Sequence, residues 1–218
     1  MGLIKAFASA FPSAEVHGCL FHLVQNLKKK IRDLGLLGRY RNESSFSLSA
    51  RMIVALAFVP LVHLDNAIAE LAVALPEELM PALKYFEDVY VGSLLRTLPD
   101  GTVIRKQPLF APTTWSVYFR TLAGDSRTNN FAEAAHRRLQ TEFGVRHPNL
   151  WRFTNGLRKV QSHRDMMLAR FESGNEAAAK RKKSADLDKK IVALVSTFHT
   201  RTLVEYLRGC AASFQMEP

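Results

Sequence analysis

The chain is poor in cysteine, in long apolar runs, in acidic residues and, over its first thirty positions, in aspartate. Two cysteines in 218 residues, Cys19 and Cys210, exclude a disulfide scaffold and a four-cysteine zinc module. A reducing compartment is the default for such a chain. The longest apolar run, Met52–Val62, contains Pro60, is closed by His63 and is too short to span a bilayer. Ala6–Phe11 is likewise too short for the apolar region of a signal peptide, and Ala6 stands where a myristoylated Met-Gly start wants Ser or Thr. The expectation is a soluble protein with no membrane partner.

What is present is an ordinary globular composition, 47% apolar and 23% charged, in a length suited to one domain or slightly more. Thirty Lys and Arg against twenty Asp and Glu give +10, and the charge is unevenly spread. Residues 1–44 hold seven basic and three acidic side chains, 45–100 three and seven, 101–175 twelve and five, and 176–218 eight and five. A basic–acidic–basic order fits a polyanion-binding surface interrupted by a segment that faces elsewhere. A solvated basic surface with no partner would carry the same pattern.

Apolar spacing predicts a mainly α protein. Leu3, Ile4, Phe7 and Phe11 share a face that ends at Pro12. Leu20, Leu23, Val24, Leu27, Ile31 and Leu34 recur at helical spacing up to Gly35. Further helices are predicted at about 47–58, 65–75, from Pro76, and from Asn130 to Phe143. Another follows Leu150, Phe153, Leu157, Val160, Met167 and Phe171, with Arg164 as the one interruption. Two amphipathic helices close the chain, and Ala177–Lys183 reads as a helical linker. Strands are predicted only at Glu15–Cys19 and Val103–Lys106, after the turn signal Pro99-Asp100-Gly101, and Trp115–Phe119 reads as extended.

Three motifs carry candidate chemistry. Cys19 and His22 form a C-x-x-H pair that could place a thiolate and an imidazole on one metal, although structural zinc needs two more ligands. Either residue could equally pack or cap. Lys28, Lys29 and Lys30 lie on a helix whose other face is apolar, as a phosphate-contacting row or a solvated one. The segment Arg127–Leu139 reads two ways. Asn130 as N-cap with Glu133 at N3 would make a capping box. Alternatively, Glu133 is a metal-ligating carboxylate with His136, Arg137 and Arg138 nearby to meet phosphates.

Taken in order, FASAFPSAEVHGCLFHLVQNLKKKI, ALAFVPLVHLDNAIAEL, YFEDVYVG and RTNNFAEAAHRRL resemble the catalytic domain of Mutator-like element (MULE) transposases over roughly residues 4–145. The resemblance implies an RNase H-like fold in which two aspartates and a late glutamate, the DDE triad, hold two divalent metals, usually magnesium. In the intact parent those metals, Mg²⁺ or Mn²⁺, would drive cleavage and strand transfer of DNA. Glu133 matches the glutamate, Cys19 and His22 the family's C-x-x-H, and Asn129, Asn130 and His136 the residues around the glutamate. A helical insertion would occupy about 45–125, and 146–218 would be a helical extension.

The family carries both aspartates upstream of the C-x-x-H. Here the one acid before Cys19 is Glu15, and the first aspartate is Asp33. The expectation is therefore a C-terminal fragment of the fold lacking its first strands, without turnover and with no cofactor of its own. It would retain weak, sequence-indifferent DNA binding through Lys28, Lys29, Lys30, Arg127, Arg137 and Arg138, and would be nuclear. The alternative is a domesticated helical adaptor without a nucleic-acid role, in the cytoplasm or nucleus. Self-association is open under either.

Overall fold

Leu20, Leu23, Val24, Leu27 and Ile31 all become buried on one face of helix α1, Leu20–Asp33, as their spacing requires. The computed structural model describes residues 6–7, 9–175 and 182–214. Helix α1 ends where Gly35 takes the left-handed conformation (φ +75°). Its amide bonds the carbonyl of Arg32 while that of Leu36 bonds Ile31, which satisfies two terminal carbonyls. Residues 6, 7, 9 and 10 are helical ahead of Pro12, whereas Leu3 and Ile4 lie outside the described residues.

Helix α2, Leu37–Asn42, leads into α3, Ser44–Ala55, which tightens into a 3₁₀ turn over Leu56–Phe58 before Pro60. From Met52 to Val59 every side chain is buried. A helix that is apolar on all sides must be enclosed on all sides, and α3 is the centre of its unit. Helix α4, Leu64–Ala74, follows, and a 3₁₀ turn at Glu77–Leu79 opens α5, Met80–Phe86. Helix α5 then widens into a π turn, Glu87–Val91, closed by Gly92 at φ +101°. Only glycine fits there. A Cβ on residue 92 would lie 1.8 Å from the carbonyl oxygen of Lys106.

Strands β1, Leu94–Thr97, and β2, Val103–Arg105, pair antiparallel across the predicted Pro99–Gly101 turn, and they form the one sheet among the described residues. Arg105 pins this hairpin to the helices. Its Nε meets Asp65 at 2.7 Å, and its Nη1 meets Glu87 at 2.6 Å and the carbonyl of Gly92 at 2.7 Å.

Two extended segments predicted from sequence turn out otherwise. Glu15–Cys19 belongs to no strand. It runs extended beside residue 114, to which Gly18 donates a single backbone bond, and no neighbour completes a ladder. Trp115–Phe119 instead joins two short helices, α6, Pro112–Trp115, and α7, Tyr118–Leu122, with Ser116 and Val117 between them. The helical path breaks between them at Ser116 (ψ 134°), and Trp115, Val117 and Tyr118 are all buried, a run that single-faced strand alternation does not give.

The chain divides into two compact units, residues 1–128 with 186–218, and residues 129–185. In the first, α11, Leu203–Ala212, packs on α3 and closes the core. The Tyr206 hydroxyl donates to the carbonyl of Phe58 at 2.5 Å, inside the core. The segment from Asp186 onward of α10, Lys182–Ser196, adds Ile191 and Val195 to that core. Of the predicted linker, 177–181 lie outside the described residues, and Lys182 and Lys183 open α10.

The second unit is a helical hairpin. Helix α8, Asn130–Phe143, stops at Gly144 (φ +64°), and α9, Leu150–Glu172, starts where Asn149 accepts the Arg152 amide at 2.9 Å. The helices approach closely at Gly156, where a Cβ would come within 2.6 Å of the Phe143 ring. Compactness thus divides the chain at residues 128 and 186, a grouping that does not bear on the division expected at 145. No helix among the described residues is long and apolar enough to cross a membrane.

Candidate functional site

Cys19 is the N-cap of α1, in extended conformation, and its side chain caps none of the helix amides. The turn before it is held from two sides. Gly18 donates to the Thr114 carbonyl at 2.6 Å, and its own carbonyl accepts Arg120 Nη2 at 3.1 Å. A Cβ on residue 18 would sit 3.1 Å from the Thr114 oxygen, so the glycine permits this approach. One helical turn on, exposed His22 lies edge-on to Phe21, with ring centroids 5.7 Å apart.

Cys19 and His22 border a cavity of about 140 Å³ completed by Asn26, Tyr90, Phe110 and Trp115. Its polar groups are already engaged with one another. Asn26 Nδ2 donates to the Tyr90 hydroxyl at 2.9 Å, and Trp115 Nε1 donates to the Tyr90 carbonyl at 2.7 Å. Desolvation raises the Tyr90 pKa, which keeps its hydroxyl neutral. Among the described residues no group of three or more His, Cys, Asp or Glu side chains is arranged to hold a metal ion. The C-x-x-H pair therefore borders a small, largely apolar pocket.

Arg120 is the electrostatic oddity of this region. Burial lowers its pKa and nearby Arg127 adds to that, while Cys19 and Asp125 oppose the shift. Its Nη atoms reach the carbonyls of Gly18 and Ser126, and its Nε is buried without a hydrogen-bond partner. Arg120 so ties the Cys19 turn to the 120–127 loop. Arg127 lies on the same loop, and its guanidinium pairs with Asp188 at 2.5 Å. Its carbonyl accepts the Leu20 amide. A side chain held in this way has little reach left for phosphate.

No family model, no curated protein and no solved structure matches the chain.

The lysine row of α1 is divided in its surroundings. Lys29 is exposed, Lys28 is half-buried, and Lys30 lies over the Tyr85 ring, 5.6 Å from its centroid. At least part of that row serves the packing of its own unit.

In the helical hairpin, the glutamate region is displaced by one position from the capping box predicted above. The N-cap is Asn129, with no side-chain bond to the helix amides, and Asn130 is the first helical residue. Glu133 is therefore N4. Its amide makes a helical bond to the Asn129 carbonyl at 3.1 Å, and the reciprocal cap cannot form. Glu133 still stands in the first turn, where the helix dipole favours a carboxylate. Glu133, His136 and Arg137 share one side of α8 at spacings of three and four, and His136, Arg137 and Arg138 are all exposed. Over 129–175 the chain has eight Arg and Lys against four Asp and Glu. Lys159 with Glu142, at 3.1 Å, is the one ion pair among the described residues of this hairpin.

A second cleft escaped sequence reasoning altogether. It measures about 380 Å³ and is lined by His63, Asn66, Glu70, His199, Arg201 and Thr202. The His63 and His199 rings meet edge-on at 5.9 Å. Residues 136 positions apart in the chain offer no spacing signal for such a pairing, since folding alone brings them together.

Proposed function

We propose that the chain derives from the catalytic domain of a MULE-type DDE transposase, an RNase H-like domain, and that it binds DNA weakly and without sequence preference. Support for the family comes from the order of its motifs, G-C-x-x-H ahead of TNN-x-x-E-x-x-H, with the second placed at a helix start. The observation that carries DNA binding is the twofold excess of basic over acidic residues in the 129–175 hairpin, with Arg137 and Arg138 exposed on α8. Nuclear residence follows as part of the same proposal.

Glu133 is the proposed remnant of the triad. The residues present do not fit a two-metal centre, which needs several carboxylates converging on ions about 3.5–4 Å apart. No described group of three ligating side chains exists to supply them. No metal-dependent step is assigned to this chain, and its proposed activity is binding alone.

Fluorescence anisotropy of a labelled duplex against salt tests the reading. For about four neutralised phosphates, log K should fall with log salt at a slope near −3.6. Changing Arg137 and Arg138 to Gln should flatten the slope by about 1.8, at roughly 0.9 per contact. Changing Lys28, Lys29 and Lys30 together reports separately on α1. Binding undetectable at ~50 mM salt sinks the DNA reading. Nicking of supercoiled DNA with Mg²⁺ or Mn²⁺ that vanishes in Glu133→Gln would instead establish turnover. The second reading, a helical interaction protein, is favoured by one observation, the apolar side chains that α9 leaves in solvent.

A further inference from the structure

Helix α9 opens at the tip of the hairpin with a large aromatic side chain in solvent. Trp151, in its first turn, is 76% exposed, whereas the other tryptophan, Trp115, is 4% exposed in the core of the first unit. One exposed ring is ordinary on a protein surface, and its surroundings decide what it can do. From Phe143 to Arg164 there is no Asp or Glu, against five Arg and Lys and two His. Lys159 is taken by Glu142. Arg146, Arg152 and Arg158 are exposed and enter no ion pair with a described residue.

Polar groups surround the ring on its own helix and on the turn before it. At about 100° per residue, Trp151, Asn155, Arg158 and Ser162 fall within roughly 60° of arc, and all are exposed. This stripe points away from Gly156 and Val160, the residues that α9 buries. Arg158 stands about 10 Å along the axis from Trp151, with Asn155 between them. On the tip side, Arg146 and His147 lie in the connection from α8. Arg152 folds back over that turn, its Nη2 3.0 Å from where a Cβ of Gly144 would stand. The ring therefore has cations before and after it, and an amide within its own stripe.

We propose that this stripe binds single-stranded nucleic acid, with an unpaired base stacked on Trp151. Arg158 takes a phosphate further along the strand, and Asn155 meets the base edge or sugar between the two. Arg146 and Arg152 hold the backbone on the tip side. Charge complementarity selects a polyanion, and the ring selects one that carries flat, uncovered bases. An indole can stack only on a base whose own face is open, and inside a duplex both faces of each base are covered. Stacking is indifferent to sequence, because every base has a π-face. This inference rests on the DNA-binding reading of the hairpin and narrows it from duplex phosphates to an unpaired strand.

Intrinsic fluorescence reads the site directly, because Trp115 is buried and Trp151 faces solvent. At ~50 mM salt, a dT oligomer of about ten nucleotides should quench the emission of the full chain. By anisotropy it should bind about tenfold more tightly than a duplex of equal length. An abasic oligomer of that length, which keeps the charge and lacks the bases, should not quench. Trp151→Ala should lose about tenfold in affinity for dT, with duplex affinity and far-ultraviolet circular dichroism unchanged. Trp151→Phe, which keeps a ring, should retain most of that affinity. Arg158→Gln should flatten the salt slope for dT by about 0.7. Duplex binding without preference for dT, or a Trp151→Ala chain that binds dT undiminished, overturns this inference and leaves the duplex reading standing. Binding to neither overturns both. Equal binding of the abasic oligomer also overturns it, as does a blue shift on phosphatidylserine vesicles without quenching by dT, which would assign the tip to a lipid surface.

Discussion

The two compact units bury their apolar side chains to different extents. In the first, the segment from Met52 to Val59 is buried without exception, and α11 returns from the far end of the chain to cover it. In the helical hairpin, α8 has no buried residue, and α9 buries only Gly156 and Val160. Phe131, Leu150, Trp151, Phe153 and Leu168 remain exposed. The difference is one of layers as well as of apolar content, the hairpin helices being the more polar. A helix can bury as many faces as it has neighbours, and a two-helix hairpin provides one neighbour each. Residues that would form a core inside a third layer stay in solvent without one.

Core truncation should give the largest effect. Tyr206→Ala removes a wholly buried ring and leaves the Phe58 carbonyl without its donor, which should cost about 3–5 kcal/mol in urea unfolding. Tyr206→Phe, which removes only the hydroxyl, should cost about 1–2 kcal/mol. Val160→Ala in the hairpin should cost about 1 kcal/mol, because it deletes two methyls where Tyr206→Ala deletes a whole ring. Equal losses at Val160 and Tyr206 would break the comparison.

An intermediate effect is expected at the helix–helix contact. Gly156→Ala places a methyl 2.6 Å from two carbons of the Phe143 ring, and overpacking of this kind costs about 1–3 kcal/mol, partly offset by better helix propensity. The loss should stay within the hairpin. Native-state hydrogen exchange should show faster exchange in α8 and α9, with the amides of α3 unchanged. Loss of protection in α3 as well would show that the two units unfold as one.

The smallest effect is expected at low pH, and in the first unit. Arg39 bonds Glu43 at 2.9 Å and Glu78 at 2.5 Å. The hydrogen bond from Arg39 holds the Glu43 carboxyl below its ordinary value. A bond from its own amide, and then Arg39, does the same for Glu78. Carboxyls whose folded pKa is lowered add stability above their unfolded pKa, about 4.3, and lose it as pH falls through the folded value. All three side chains are exposed, so the contribution is small. Arg39→Gln should flatten the decline of the urea midpoint between about pH 5 and 3. An unchanged slope would place the acid sensitivity elsewhere.

Most helices were legible because burial on one side imposes a period that survives in sequence. Leu20 to Ile31, Asn130–Phe143 and Leu150–Glu172 were all predicted close to their observed spans. The extended reading of Trp115–Phe119 failed because two bulky residues three apart suit a short helix as well as an irregular loop. Long-range bonds, Trp115 Nε1 to the Tyr90 carbonyl, Gly18 to the Thr114 carbonyl and Val117 to the Ala57 carbonyl, hold this stretch, and none leaves a spacing signal. Among the candidate residues, Cys19 and His22 in the first unit and Glu133 in the second were marked by motif. Asn26, Tyr90 and Trp115, which complete the cavity, carry no spacing signal because they come from separate elements.

Composition and periodicity by themselves determined a mainly helical protein with no membrane-spanning helix among the described residues, and a basic surplus concentrated after residue 100. All of these are local properties, written in the order of side chains along one element. Tertiary structure decided that Arg127 spends its charge on Asp188, that Lys30 lies over Tyr85, and that His63 meets His199. It also decided which apolar faces are covered. Each of these depends on which distant element arrives beside a residue, and pairwise proximity across a long chain leaves no period for a sequence to display.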